Sequence, residues 1–166
     1  LKDEALLLLK PDNLARMKAV AVLLDADANA EGAFTLARGA IKDATGFEIP
    51  EAGKWFEQAG AGVRFGVFVV GGADGNGELE TLAWDAWKAS ADNASLLRCV
   101  EEFVKCASGN GIKLRSIDKV RVGALLAVLN EDDPRLGAGA RAGVFDFSAP
   151  EFERLVAFFS ELKPLL

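Results

Sequence analysis

Apolar and polar positions fall along this chain in blocks whose periods name the elements. Residues 19–24 (AVAVLL) form a short, uninterrupted apolar run rich in Val and Leu. That length and content predict a strand buried on both faces. Residues 63–70 (VRFGVFVV) are nearly continuous in apolar residues and predict a second strand beside the first. Between them, Phe34, Ala37 and Ile41 recur at spacings of three and four, predicting an amphipathic helix over 30–44 that Gly46 ends. Residues 1–17 also read as helical, with Pro11 marking a break or a new first turn. Residues 47–62 carry Pro50, Gly53, Gly60 and Gly62 around Trp55 and Phe56, the mark of a loop or weak hairpin.

The second half reads as helices. One is predicted over 77–90, with Leu79, Leu82, Ala83, Ala86 and Trp87 as its stripe. A second spans 93–107, with Leu96, Leu97, Val100, Phe103 and Val104 turned inward. A third spans 116–130, capped by Ser116, with Val120, Ala124, Ala127 and Val128 packing. The last, over 150–162, is opened by a capping box of Ser148 and Glu151 and turns Phe152, Leu155, Val156 and Phe159 to the core. Two strands are few for a free-standing sheet. The partner strand is expected from 144–147, from 47–57, or from upstream of Leu1.

The 166 residues suit one domain with a real core. No apolar run nears the roughly 20 residues of a membrane span, and no leader pattern opens the chain. A cytoplasmic protein without a membrane role is the expectation. The first residue is Leu1, not Met, which suggests a trimmed product. The net charge of −6 argues against gripping nucleic acid by bulk electrostatics, though it leaves room for a local basic rim.

The absence of histidine matters more. It removes Ser–His and Cys–His nucleophiles, His general bases and most zinc sites. Cys99 and Cys106, on one helix, would stand about 10 Å apart, too far for a disulfide. They read as core-facing thiols. Chemistry must therefore come from carboxylates, Lys, Arg, Ser or Thr.

The first strand ends in two carboxylates, Asp25 and Asp27, within DADAN. Ligands of open α/β sheets bind just beyond strand carboxyl ends. Alternation sends residues i and i+2 the same way, so both acids can face one hard cation such as Mg²⁺. The competing reading is a helix start, with Asp27 or Asn29 as cap. The second strand exits into a glycine-rich loop, GGADGNGELE (71–80), which lacks the Gly-Lys-Ser/Thr of a P-loop. Glu78 and Glu80 there fit a first helical turn, where the macrodipole favours acids.

An ordered set of features resembles an uncharacterised prokaryotic family, a domain of unknown function related to Toprim domains. The set is Asp25-Ala26-Asp27 after a strand, Gly77-Glu78-Leu79-Glu80 opening a helix, Asp118-Lys119, and the tail from Leu136 to Phe147. The resemblance runs from about Lys18 to the end. It implies a single Toprim-like α/β domain: a small, mostly parallel sheet flanked by helices, with a helix-rich C-terminal half. Toprim domains occur in overcoming-lysogenization nucleases, topoisomerases and primases, and hold Mg²⁺ with a glutamate and a DxD. By that resemblance Asp25 and Asp27 are metal ligands. Glu80 is an acid near the metal or phosphate, and Lys119 a phosphate-facing base or charge. The family's glutamate belongs to an upstream strand, and 1–17 offers no match. A missing N-terminal strand and glutamate motif are expected.

Three functions follow. The first is Mg²⁺-dependent phosphoryl transfer or cleavage of nucleic acid. The second is a non-catalytic Toprim-like binding module, which an exposed patch at Trp55 and Phe56 would support. The third is a haloacid-dehalogenase-type phosphatase with Asp25 as nucleophile, against which Asn29 departs from the usual Thr or Val.

Overall fold

The computed structural model describes residues 8–57, 60, 62–72 and 74–162. Residues 1–7 of the predicted first helix lie outside them. By internal contacts the chain divides into two compact units, Leu1–Glu78 with Glu153–Leu166, and Leu79–Phe152.

The first unit is built on a sheet. After a one-turn helix α1 (Pro11–Leu14) come β1 (Ala19–Asp25), α2 (Ala30–Thr45), β2 (Trp55–Glu57) and β3 (Arg64–Val70). The order is β1-β3-β2. β1 runs parallel to β3 from Ala19↔Arg64 to Asp25↔Val70, and β2 pairs antiparallel with β3. The third strand thus comes from the 47–57 region, and 144–147 forms no strand. With one parallel and one antiparallel pairing, the sheet is mixed rather than mostly parallel.

Only β3 meets the expectation of burial on both faces. Phe65 and Val67 join Ala37 and Ile41 of α2 in one core, with Leu9, Ile49 and Val63. Gly66 and Phe68 face the other way, toward α7 (Glu153–Ser160). There Trp55 stacks on Phe158 at 4.6 Å and its Nε1–H donates to the Phe158 carbonyl at 2.8 Å. A Cβ on Gly66 would come within 2.8 Å of the Phe158 ring, so the close approach requires glycine. β1 is an edge strand among the described residues. Its Val20, Val22 and Leu24 pack on the α2 core, while Ala21, Leu23 and Asp25 are exposed. An edge position leaves one face of β1 outside the core, which its apolar run did not disclose. In α7 it is Phe158, not its neighbour Phe159, that is buried.

The second unit is helical. α3 (Leu79–Lys88) and α4 (Ala94–Gly109) pack on α5 (Ile117–Leu129), which also meets α6 (Leu136–Arg141). Trp84, Val122, Leu125, Leu126 and Phe152 are its fully buried residues. Val122, Leu125 and Leu126 thus form the core face of α5, and Val128, expected inside, is 64% exposed. Phe103 is likewise exposed rather than buried. Cys99 and Cys106 are exposed free thiols, against the core-facing expectation. Ser116 caps α5 by accepting from the Lys119 N–H at 3.1 Å. Ser148 makes no capping box. Its hydroxyl and N–H both donate to Asp146, and residues 150–152 form a 3₁₀ turn before α7.

Candidate functional site

The parallel pair β1 and β3 brings two loops together at its carboxyl end. Asp25 is the last strand residue, opposite Val70. Ala26 is 2% exposed, and its N–H continues the ladder to the Val70 carbonyl at 2.7 Å. The chain then turns. Asp27 takes the left-handed conformation at φ +48, the one non-glycine residue to do so among those described. Asp and Asn tolerate this region better than most residues, yet strained single positions of this kind cost on the order of 1–3 kcal/mol. Two reciprocal backbone bonds hold it there: the Asp27 N–H to the Gly77 carbonyl at 2.7 Å, and the Gly77 N–H to the Asp27 carbonyl at 2.6 Å. The glycine-rich exit of β3 is therefore fastened to the exit of β1. A Cβ on Gly71 would sit 2.8 Å from the Gly75 backbone, so only glycine allows this loop to fold back so tightly.

Asn29 closes the turn, its N–H bonded to the Ala26 carbonyl at 2.8 Å. Its side chain accepts from the Gly32 N–H at 2.8 Å and caps α2. The capping role that the sequence left open belongs to Asn29. Asp27 is left exposed beside it. Asp25 and Asp27 line one open depression of about 600 Å³ with Leu24, Asn29, Gly32 and Leu36. They reach it through a turn and not through strand alternation.

Among the described residues no group of three His, Cys, Asp or Glu side chains is placed to hold a metal. Two carboxylates lining an open depression are hard oxygen donors, the ligand type of Mg²⁺, Ca²⁺ and Mn²⁺. Mg²⁺ keeps several waters and binds through one or two carboxylates plus substrate phosphates. The donor set therefore fits a hydrated Mg²⁺ and does not fit zinc, which favours nitrogen and sulfur.

Of the four residues singled out in the sequence, the structure brings Asp25 and Asp27 to one depression. Glu80 and Lys119 belong to the second unit, on the first turns of α3 and α5. Those turns meet where the Thr81 hydroxyl donates to Asp118 at 2.8 Å. Asp118 also accepts from Arg121 at 2.8 Å, and Arg121 reaches Glu101 at 3.0 Å while its guanidinium lies over the Trp84 ring at 5.5 Å. Partial burial opposes the Arg121 charge, but the bonds from Glu101 and Asp118 outweigh it and hold its pKa above the ordinary guanidinium value. The Asp118-Lys119 segment thus carries a structural network.

One acid was passed over. Glu78 is the buried charged residue among those described, at 8% exposure, directly after the Gly77 bridge. The sequence placed it in a helical first turn together with Glu80. The helix begins at Leu79 instead, so Glu78 is a buried residue between the Gly77 bridge and the helix start.

Residues 1–163 match the sequence model of a family described as "Protein of unknown function (DUF3226)". The chain belongs to the DUF3226 family. No curated protein and no solved structure matches it. Among its described residues, no helix of this DUF3226 chain is long and apolar enough to cross a membrane.

Proposed function

We propose that this DUF3226 chain is a Toprim-like protein that binds Mg²⁺ at the β1 exit and carries out phosphoryl transfer on nucleic acid, cleaving strands. One observation carries the reading: Asp25 and Asp27 line a single depression at the carboxyl end of the parallel pair. When bound, Mg²⁺ would supply charge stabilisation to phosphoryl oxygens. The two carboxylates hold the ion, and the Asp27–Gly77 backbone bridge fixes the turn that presents them. Asn29 keeps the start of α2 in place beneath them. Leu24 and Leu36 give the depression an apolar flank. Glu80 and Lys119 enter this proposal on the strength of the Toprim resemblance alone, as an acid and a phosphate-facing charge.

Calorimetric titration with Mg²⁺ and Mn²⁺ is the test. The full chain should bind one ion, and Asp25→Asn and Asp27→Asn should each weaken it at least about tenfold. Nicking of labelled DNA or RNA should depend on the metal and vanish in Asp25→Asn. Glu80→Gln and Lys119→Met should slow nicking without moving the metal affinity. Absence of metal binding in the wild type sinks the proposal. Turnover of p-nitrophenyl phosphate without nicking would replace it with the phosphatase reading.

A non-catalytic binding module is the second reading. The patch expected for it at Trp55 and Phe56 is not there: Trp55 is buried and Phe56 packs against the core. Its support comes instead from the second unit, where Phe103, Val128 and Leu129 are exposed.

A further inference from the structure

We infer that a second cavity of the first unit seats one phosphate-bearing sugar, with the phosphate on Arg154 and a sugar hydroxyl on Glu31. The assignment rests on the phosphoryl-transfer reading and names the substrate unit held beside that site. The cavity holds about 260 Å³. That is below the roughly 300–1,000 Å³ of drug-sized ligand sites, so its occupant is a small molecule or one unit of a polymer. Glu31 and Phe34 of α2, Gly53, Val69 of β3, Gly75 and Arg154 of α7 line it.

Its origin is the shortness of β2. That strand pairs only with Arg64, Phe65 and Gly66. Farther along β3, the Gly53 N–H bonds the Val67 carbonyl at 2.7 Å, and the cavity opens beyond it. This is the carboxyl end of the central strand, the usual ligand crevice of an open α/β sheet. The first turn of α2 separates it from the carboxylate depression. Asn29 and Gly32 line the depression, and Ala30 and Glu31 line the cavity.

The two charged walls are chemically distinct. Among the described residues neither Arg154 nor Glu31 is in an ion pair or side-chain hydrogen bond, with each other or with a third group. A guanidinium offers a planar fork of donors that matches two phosphate oxygens at once. An ionised carboxylate only accepts, which suits hydroxyl groups. Phe34 and Val69 give the apolar surface a sugar ring can lie on. Arg38, whose guanidinium lies 5.4 Å over the Phe34 ring, adds a second cation near the same wall. An anion without hydroxyls would leave Glu31 repelling it, and a neutral sugar would leave Arg154 unused. A phosphorylated sugar satisfies both.

Calorimetry on the full chain in chelator, with ribose 5-phosphate, ribose, inorganic phosphate and a 5′-phosphorylated hexanucleotide, tests the inference. Ribose 5-phosphate should bind saturably and ribose should not. Arg154→Met should weaken binding at least tenfold, and thermal melting should show that variant folded. Glu31→Gln should lower affinity for ribose 5-phosphate more than for inorganic phosphate. Binding should persist in the Asp25→Asn/Asp27→Asn variant, so failure of the metal site leaves this result standing. Hexanucleotide binding with the same Arg154 dependence assigns the sugar phosphate to a nucleic-acid end. Binding of ribose 5-phosphate alone assigns it to a free metabolite-sized ligand. Equal binding by wild type and Arg154→Met, or no saturable binding of any probe, overturns the inference.

Discussion

The sheet unit and the helical unit spend their apolar residues differently. In the first, β3 is buried almost end to end, and the α2 stripe of Ala37 and Ile41 closes directly on it. In the second, α5 is apolar on nearly every side, yet only Val122, Leu125 and Leu126 are buried, while Ile117, Val128 and Leu129 stay exposed. We read the register of α5 as set by polar bonds, because Arg121 ties Asp118, Glu101 and Trp84 together. A central strand can be placed by hydrophobicity alone, because every neighbour wants it inside. A helix without a polar face has no preferred rotation until specific polar bonds choose one.

The largest effect should separate two phenylalanines. Phe65, fully buried and 5.4 Å from the Phe47 ring, should cost about 3–5 kcal/mol on mutation to Ala. Phe103, 54% exposed, should cost less than about 0.5 kcal/mol for the same change. Urea unfolding of both variants measures the contrast. Equal losses would break it and put Phe103 on the buried face of α4 beside Val100 and Val104, where the structure does not place it.

Next comes the polar tie itself. Arg121→Met keeps much of the volume and removes the bonds to Asp118 and Glu101. Two charge-assisted bonds less their desolvation suggest a loss of about 1–3 kcal/mol. Denaturant melts of the Arg121→Met, Glu101→Gln and double variants would show coupling between the pair. Additive effects would mean that α5 is held by packing after all.

These contrasts say what the sequence could carry. The β3 strand, the α2 helix from Ala30 to Thr45 and the Ser116 cap were legible because each rests on a local signal: a nearly continuous apolar run, a period of three and four, a hydroxyl before a helix. β1 was legible as a strand but not as an edge, since edge position depends on the order β1-β3-β2. β2 was legible only as one of three candidate regions for a partner strand, because three residues carry no period and only pairing with Arg64–Gly66 makes them a strand. At the site, the DAD pair stood out, while the left-handed turn at Asp27 depends on Gly77, fifty residues away. Arg154 had no local signal at all, because α7 returns to the sheet unit only after the whole helical unit has been traversed.

A smaller effect tests the turn shared by both candidate pockets. Asn29→Ala removes the acceptor for the Gly32 N–H and should cost about 1 kcal/mol, as lost N-caps do. Magnesium affinity should fall with it if the cap positions the Asp27 turn. Retention of full affinity would show that the Asp27–Gly77 bridge holds the turn unaided.

The smallest effect lies on the surface of the helical unit and checks that its exposed charges matter less than the Arg121 tie. Arg135 clasps Asp133 through two hydrogen bonds of 2.6 Å. That pairing lowers the Asp133 pKa to about 2 from its ordinary 3.8. A depressed carboxylate contributes stability that is complete above the unfolded value and is lost as pH falls through the folded one. The window is therefore from about pH 4 down to about pH 2, with the unfolded chain taking up the proton first. Because the pair is exposed, salt should screen most of it. Carboxyl NMR titration should find the Asp133 midpoint near 2 in the wild type at low salt and near the ordinary carboxylate range in Arg135→Ala. Neutral-pH stability of that variant should be indistinguishable from the wild type in denaturant melts, as for most exposed surface pairs. A measurable loss would make the 133–135 loop a second polar tie of the helical unit, and its rotation would then depend on more than Arg121.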